Sequence, residues 1–200
     1  MTIPSSRSVP SRSGDPRERI ERTAYELFSR HGTRAIGVDT LAGRAGVAKM
    51  TLYKHYRSKD DLVLAFLRRR EELWTRTWLQ NAVRDRSRKP AARLLGIFEL
   101  FDSWFRKPDY EGCAFLKVLL EQSDPQHPVR TAVRGHLQAI RSLLVELAAE
   151  AGARHPARLA QQWQMLMMGC IVAAYAGERN AAREARKAGA FLLRAEGLRA

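Results

Sequence analysis

The stretch GVAKMTLYKHYRSKDDL, residues 46–62, carries more polar tips than a helix buried in a core could satisfy. Two tyrosines, a lysine and a histidine fall within four consecutive positions, Tyr53 to Tyr56, behind a single apolar anchor, Leu52. Gly46 suits a left-handed helix cap, and Val47 suits the underside of a tight turn. Ser58 and Asp61 make the S-x-x-D pattern of a capping box, so a further helix starts just after Ser58. The segment therefore reads as a short helix, Lys49 to Tyr56, between a glycine turn and a capped helix. Its polar side is turned toward something outside the chain.

Working upstream, Val38 to Ala45 reads as another short helix with Leu41, Ala42 and Ala45 inward. Two short helices joined by so tight a turn cross steeply. The crossing needs a small residue, which Ala42 supplies, and a turn residue free to take positive φ, which Gly46 supplies. This is the logic of a helix-turn-helix, which leaves the first turn of the second helix free to enter a DNA major groove. Lys49, Met50 and Thr51 then stand nearest the base edges, with Lys49 matched to guanine O6 and N7. Met50 or the Thr51 methyl is matched to a thymine methyl. Tyr53, Lys54, His55 and Lys59 are donors suited to phosphate oxygens.

Together with the preceding AYELFSRHG, the string GVDTLAGRAGVAKMTLYKHYRSKDDLV resembles the DNA-binding domain of TetR-family transcriptional regulators. The matching positions are Phe28, Gly32, Ala42, Gly46, Val47, Thr51, Leu52, Tyr53, His55, Ser58, Lys59 and Leu62, in the family's order. Ala48 stands where the family often has a capping Ser, Gly37 where Ser or Thr often caps, and Met50 where Gly or Pro is common. Two helices are therefore expected to start without a side-chain cap. Tyr56 replaces the family's Phe.

The resemblance implies an all-α chain of about nine helices: a three-helix helix-turn-helix head, then helices that bind a small molecule and form a homodimer. The implied divisions are an arm over residues 1–14, the head over 15–60 and the effector and dimerisation domain over 61–200. It also implies a palindromic double-stranded operator and repression released by an unidentified effector. Candidate effector contacts are Phe101, Trp104, Phe105, Cys113, Phe115, Met167 and Met168, although aromatic and Met residues at helical spacing are more often core. Candidate dimer contacts are Trp163, Cys170, Ala174, Ala188, Phe191 and Leu192.

Helical periodicity covers the rest of the chain, and no strand pattern or repeat stands out. The first helix is capped by Asp15 with Pro16 behind it. A long fourth helix carries Leu62, Phe66, Leu67, Leu73, Trp74 and Trp78 toward about residue 85, and the RDRSRKP stretch that follows reads as a charged hinge. Arg68, Arg69 and Arg70 read as a solvated face, and Arg7 and Arg12 as candidates for a minor groove.

Across 200 residues the formal charge is +14. The first 70 residues hold 15 Lys and Arg against 7 Asp and Glu, so the excess is densest in the head. Such an excess points to a polyanion, with nucleic acid ahead of an anionic membrane surface. No metal or cofactor is expected: Cys113 and Cys170 belong to no Cys/His cluster, and the spacing of His127 and His136 fits no common site. No GxSxG, HExxH or phosphate-loop pattern marks an enzyme. The start, MTIPSSRSVPSRSGDP, has no apolar h-region, and no apolar run reaches the ~20 residues of a membrane span. A cytoplasmic regulator associated with the nucleoid is the expectation. The alternative is a basic helical nucleoid-associated or membrane-surface protein.

Overall fold

The computed structural model describes residues 14–81, 83 and 89–198, with the side chains of residues 76, 78 and 80 left aside. The arm with Arg7 and Arg12, and most of the charged hinge, lie outside the described residues. Asp15 accepts the Arg17 amide at 3.1 Å and starts α1, Pro16–His31. Next come α2, Val38–Ala45, and α3, Lys49–His55. The capping box forms as the spacing predicts, with the Asp61 amide on Ser58 Oγ at 3.1 Å and the Ser58 amide on Asp61 at 3.2 Å. It opens α4, Lys59–Arg70. In place of one uninterrupted helix, α4 runs on as a π-helical stretch, Glu71–Gln80, in which each amide reaches back five residues.

The remaining helices are α5, Pro90–Phe105; α6, Ala114–Glu121; α7, Pro128–Glu150; α8, Pro156–Tyr175; and α9, Ala181–Ala195. All elements among the described residues are helical, as expected, and none of these helices is long and apolar enough to cross a membrane.

The described residues divide into two compact units, one holding residues 14–73 and 113–134, the other residues 74–81, 83, 89–112 and 135–198. In the first, α1 packs on the next three helices, and Ile20, Ala24 and Phe28 of α1 are, like Leu41, Leu52 and Leu62 of those helices, essentially without exposure. Phe66 of α4 stands edge-on to Tyr25 and Phe28 at 5.7 and 5.6 Å. A boundary at residue 60 would cut through this core. That is why α4 stays with the head instead of opening the second domain. Segment 113–134, which contains α6, also joins the head unit.

In the second unit, α9 packs on α5 and α8. Phe98, Phe101 and Trp163 fill the middle with almost no exposure. Gly189 allows the close approach, since a Cβ there would stand 2.8 Å from the Trp163 ring and 3.2 Å from Phe98.

Candidate nucleic-acid interface

The turn between α2 and α3 is built as the residues dictate. Gly46 sits at φ 63, ψ 40, the left-handed region that penalises a Cβ. The Val47 amide donates to Ala42 O at 3.0 Å and closes the end of α2. Neither Gly37 nor Ala48 supplies a side-chain cap. The Ala48 carbonyl instead accepts the Thr51 and Leu52 amides at 2.9 and 3.2 Å. Helix α3 is then held by one fully buried side chain, Leu52.

Around that anchor, Lys49, Met50, Tyr53, Lys54 and His55 are exposed, while Thr51 and Lys59 are half-buried. Met50 is 77% exposed, a large apolar side chain held out in solvent at the tip of the helix. Lys49 Nζ lies 2.8 Å from Asp39 Oδ1 in the first turn of α2, and this hydrogen-bonded carboxylate raises the lysine's pKa. Tyr56 departs from its neighbours. It is buried, and its hydroxyl donates to Glu21 of α1, which also accepts Arg17 Nε at 3.1 Å. Burial first, then the Glu21 hydrogen bond, raises the phenol's pKa. Three of the four crowded tips therefore face out, and the fourth ties α3 to α1.

Two features of the head unit escaped the sequence reading. Arg70 does not belong to a solvated face: it is buried, donates to the Tyr25 hydroxyl at 2.9 Å and lies over its ring. Glu121 of α6 accepts the Thr33 amide and hydroxyl at 2.9 and 2.5 Å and the Arg34 amide at 3.1 Å, while Lys117 Nζ donates to Ser29 O at 3.1 Å. Lys117 thus meets the carbonyl end of α1, the favourable sense of the helix dipole, while the Glu121 carboxylate satisfies loop amides just beyond it.

Among the candidate effector residues, Cys113 and Phe115 belong to the head unit; Phe101, Trp104, Phe105, Met167 and Met168 belong to the other. Phe101, Trp104, Phe115 and Met167 are buried. A cleft of about 480 Å³ in the second unit is lined by Phe105, Arg106, Ala174 and the Gly177–Arg179 turn. Among the candidate dimer residues, Trp163 and Cys170 point into the chain's own core, Trp163 because it fills the slot opposite Gly189. Ala174, Ala188 and Leu192 are half-buried, and Phe191 is 66% exposed. Met165 and Val172 of α8 are more than half exposed and were not singled out by the sequence. Burial raises the pKa of both thiols, Cys170 to about 12, so neither is a thiolate at neutral pH. Among the described residues no group of three His, Cys, Asp or Glu side chains is placed to hold a metal ion.

Residues 20–66 match the family model for bacterial regulatory proteins of the tetR family, and residues 90–189 match the tetracyclin repressor-like C-terminal domain. The transcriptional activator FasR of Mycolicibacterium smegmatis is 50% identical over 46 residues, 23% of this chain and 21% of that protein. An HTH-type transcriptional regulator of Staphylococcus aureus is 36% identical over 53 residues, 26% of this chain and 29% of its own. The chain thus spans under a third of the length of these curated relatives. Likeness to solved structures extends much further. A TetR-family regulator from Streptomyces coelicolor superposes with a TM-score of 0.83 at 28% identity, covering 90% of this chain and 95% of that one. A TetR transcriptional regulator from Streptomyces avermitilis gives 0.83 at 30% identity, covering 93% and 100%. With the exposed α3 tip, the glycine turn behind it and both halves of the chain matched, the protein belongs to the TetR family of helix-turn-helix transcriptional regulators.

Proposed function

We propose that the protein is a homodimeric repressor that binds a palindromic operator through α3 and is released by a small-molecule effector. The observation that carries the DNA mode is the α3 tip: Lys49, Met50, Tyr53, Lys54 and His55 are exposed on a helix whose only buried side chain is Leu52. Lys49, Met50 and Thr51 read bases, while Tyr53, Lys54, His55 and Lys59 hold phosphates. Two copies present their α3 helices one DNA turn apart, about 34 Å. The exposed Met165, Val172 and Phe191 of α8 and α9 support pairing through that face. The Phe105 cleft, with two guanidinium groups beside an aromatic ring, supports an effector site in the second unit. Any effector must favour the released state over the DNA-bound one, since equal affinity shifts nothing. The protein then acts in the cytoplasm on chromosomal DNA.

The test is binding of the full chain to the duplex upstream of its own gene, titrated against salt. Replacing Tyr53 and His55 together with Ala is expected to weaken binding and flatten the salt dependence. Unchanged affinity and slope would refute this docking mode. Transcription from that duplex, with and without the protein, decides between repression and the activation named for FasR.

A further inference from the structure

Beside α3 the head carries a second feature: a cleft of about 310 Å³ between the start of α1, the end of α3 and one face of α4. Arg17, His55, Arg57 and Arg68 converge on it. Arg57, Asp61, Leu64 and Arg68 follow at intervals of four, three and four residues, so they form one stripe along α4 and the bend before it. Arg57 and Arg68 are 11 positions apart, so along a helix they bracket roughly 16 Å of axis.

The charge in this cleft is unbalanced. Its carboxylates are already engaged: Asp61 accepts the Ser58 amide in the capping box, and neighbouring Glu21 accepts Arg17 and Tyr56. His55, Arg57 and Arg68 are exposed and have no hydrogen-bond or ion-pair partner among the described residues. Arg68 is thereby distinguished from both neighbours in its run, since Arg69 does not line the cleft and Arg70 is buried on Tyr25. Three unpartnered donors around a concave space call for an oxygen-rich anion. His55 is the last residue of α3, so the cleft is continuous with the proposed base-reading surface.

We propose that this cleft is a phosphate-binding groove, in which Arg57 and Arg68 hold backbone phosphates of the duplex flanking the segment read by α3. The proposal rests on the DNA-binding reading above and extends the protein's footprint along α4. These contacts position the head and carry no sequence information.

The experiment measures duplex binding of the full-length protein by fluorescence anisotropy across a chloride series. It uses the duplex upstream of its own gene and a random duplex of equal length. Arg57→Ala and Arg68→Ala are each expected to lower the salt slope by about 0.9, and to weaken binding by the same factor on both duplexes. Arg69→Ala, with the same loss of charge outside the cleft, is expected to leave the slope unchanged. Arg57→Lys and Arg68→Lys are expected to restore it. A slope for Arg57→Ala and Arg68→Ala no different from that of Arg69→Ala would overturn the groove while leaving α3 docking intact. Loss of salt-dependent binding by the unaltered protein would overturn both. Inorganic phosphate is titrated against chloride at matched ionic strength. Phosphate competes with duplex phosphates for the groove, so the wild type is expected to be inhibited more than Arg57→Ala; that difference without any change in the Arg57→Ala salt slope would identify a free-anion site and overturn the proposal.

Discussion

The grip of α6 on the head can be measured as a coupling energy. Thr33 and Glu121 lie 88 residues apart, and the Thr33 hydroxyl donates to Glu121 Oε2 at 2.5 Å. Thr33 is only 3% exposed, so its hydroxyl loses a partner at a buried position if the carboxylate is removed. Thr33→Val keeps the shape and deletes the donor. Glu121→Ala deletes the acceptor, and with it the bonds from the Thr33 and Arg34 amides. A hydrogen bond to a charged group contributes about 1.5–3 kcal/mol, and an abandoned buried donor costs about 1–3 kcal/mol. Thr33→Val should therefore destabilise by about 1.5–3 kcal/mol and Glu121→Ala by about 2–5 kcal/mol. The double variant should fall short of the sum by about 1.5–3 kcal/mol, because the second change removes a bond already lost. Urea unfolding followed by helical circular dichroism, at unchanged denaturant slope, gives each value. All four tryptophans, Trp74, Trp78, Trp104 and Trp163, fall in the second unit, so their fluorescence separately reports whether that unit unfolds with the head. Additivity within about 0.5 kcal/mol would refute the contact and with it the assignment of α6 to the head.

Two glycines of the turn should respond with opposite signs. Gly43 lies inside α2 with open space at its Cβ position, so Gly43→Ala should stabilise by about 0.5–1 kcal/mol. Gly46→Ala should destabilise by about 1–2 kcal/mol through backbone strain alone; thermal melts of the two variants distinguish them. Tyr56→Phe removes the hydroxyl that ties α3 to α1 and should destabilise by about 1–2 kcal/mol, with an unchanged salt slope for duplex binding. His136 is buried in α7, and burial lowers its pKa from 6.5 to about 4. Between those values the unfolded chain binds the extra proton. Its stabilising share is therefore complete above about pH 6.5 and declines toward pH 4 by about 3 kcal/mol in all. In His136→Leu, unfolding measured across that range should lose this part of the pH dependence.

Much of the head was legible because its constraints are local. The Ser58–Asp61 box, the Asp15 cap, the left-handed Gly46 and the exposed α3 tip each follow from residues within a few positions of one another. The effector and dimer sets were less legible for an equally physical reason. Aromatic and small residues at helical spacing announce that a helix has an apolar face, but not what that face meets. Trp163 read as a partner contact until Gly189, 26 positions later, turned out to make room for its ring. Arg68, Arg69 and Arg70 are one residue type in one run, and three destinations follow from the roughly 100° that separates neighbours on a helix: a cleft, solvent and a hydrogen bond to Tyr25.

By itself, then, the sequence determined the helical class, the helix-turn-helix and the outward face of α3, because capping, turn chemistry and periodicity act over a handful of residues. Only the tertiary structure decided that Tyr56 turns inward, that α6 and all of α4 belong to the head, and that α4 passes into a π-helical stretch. The inward turn and the unit membership depend on partners supplied from distant parts of the chain, Glu21 for Tyr56 and Thr33 for Glu121, and a one-dimensional pattern does not record which distant group arrives.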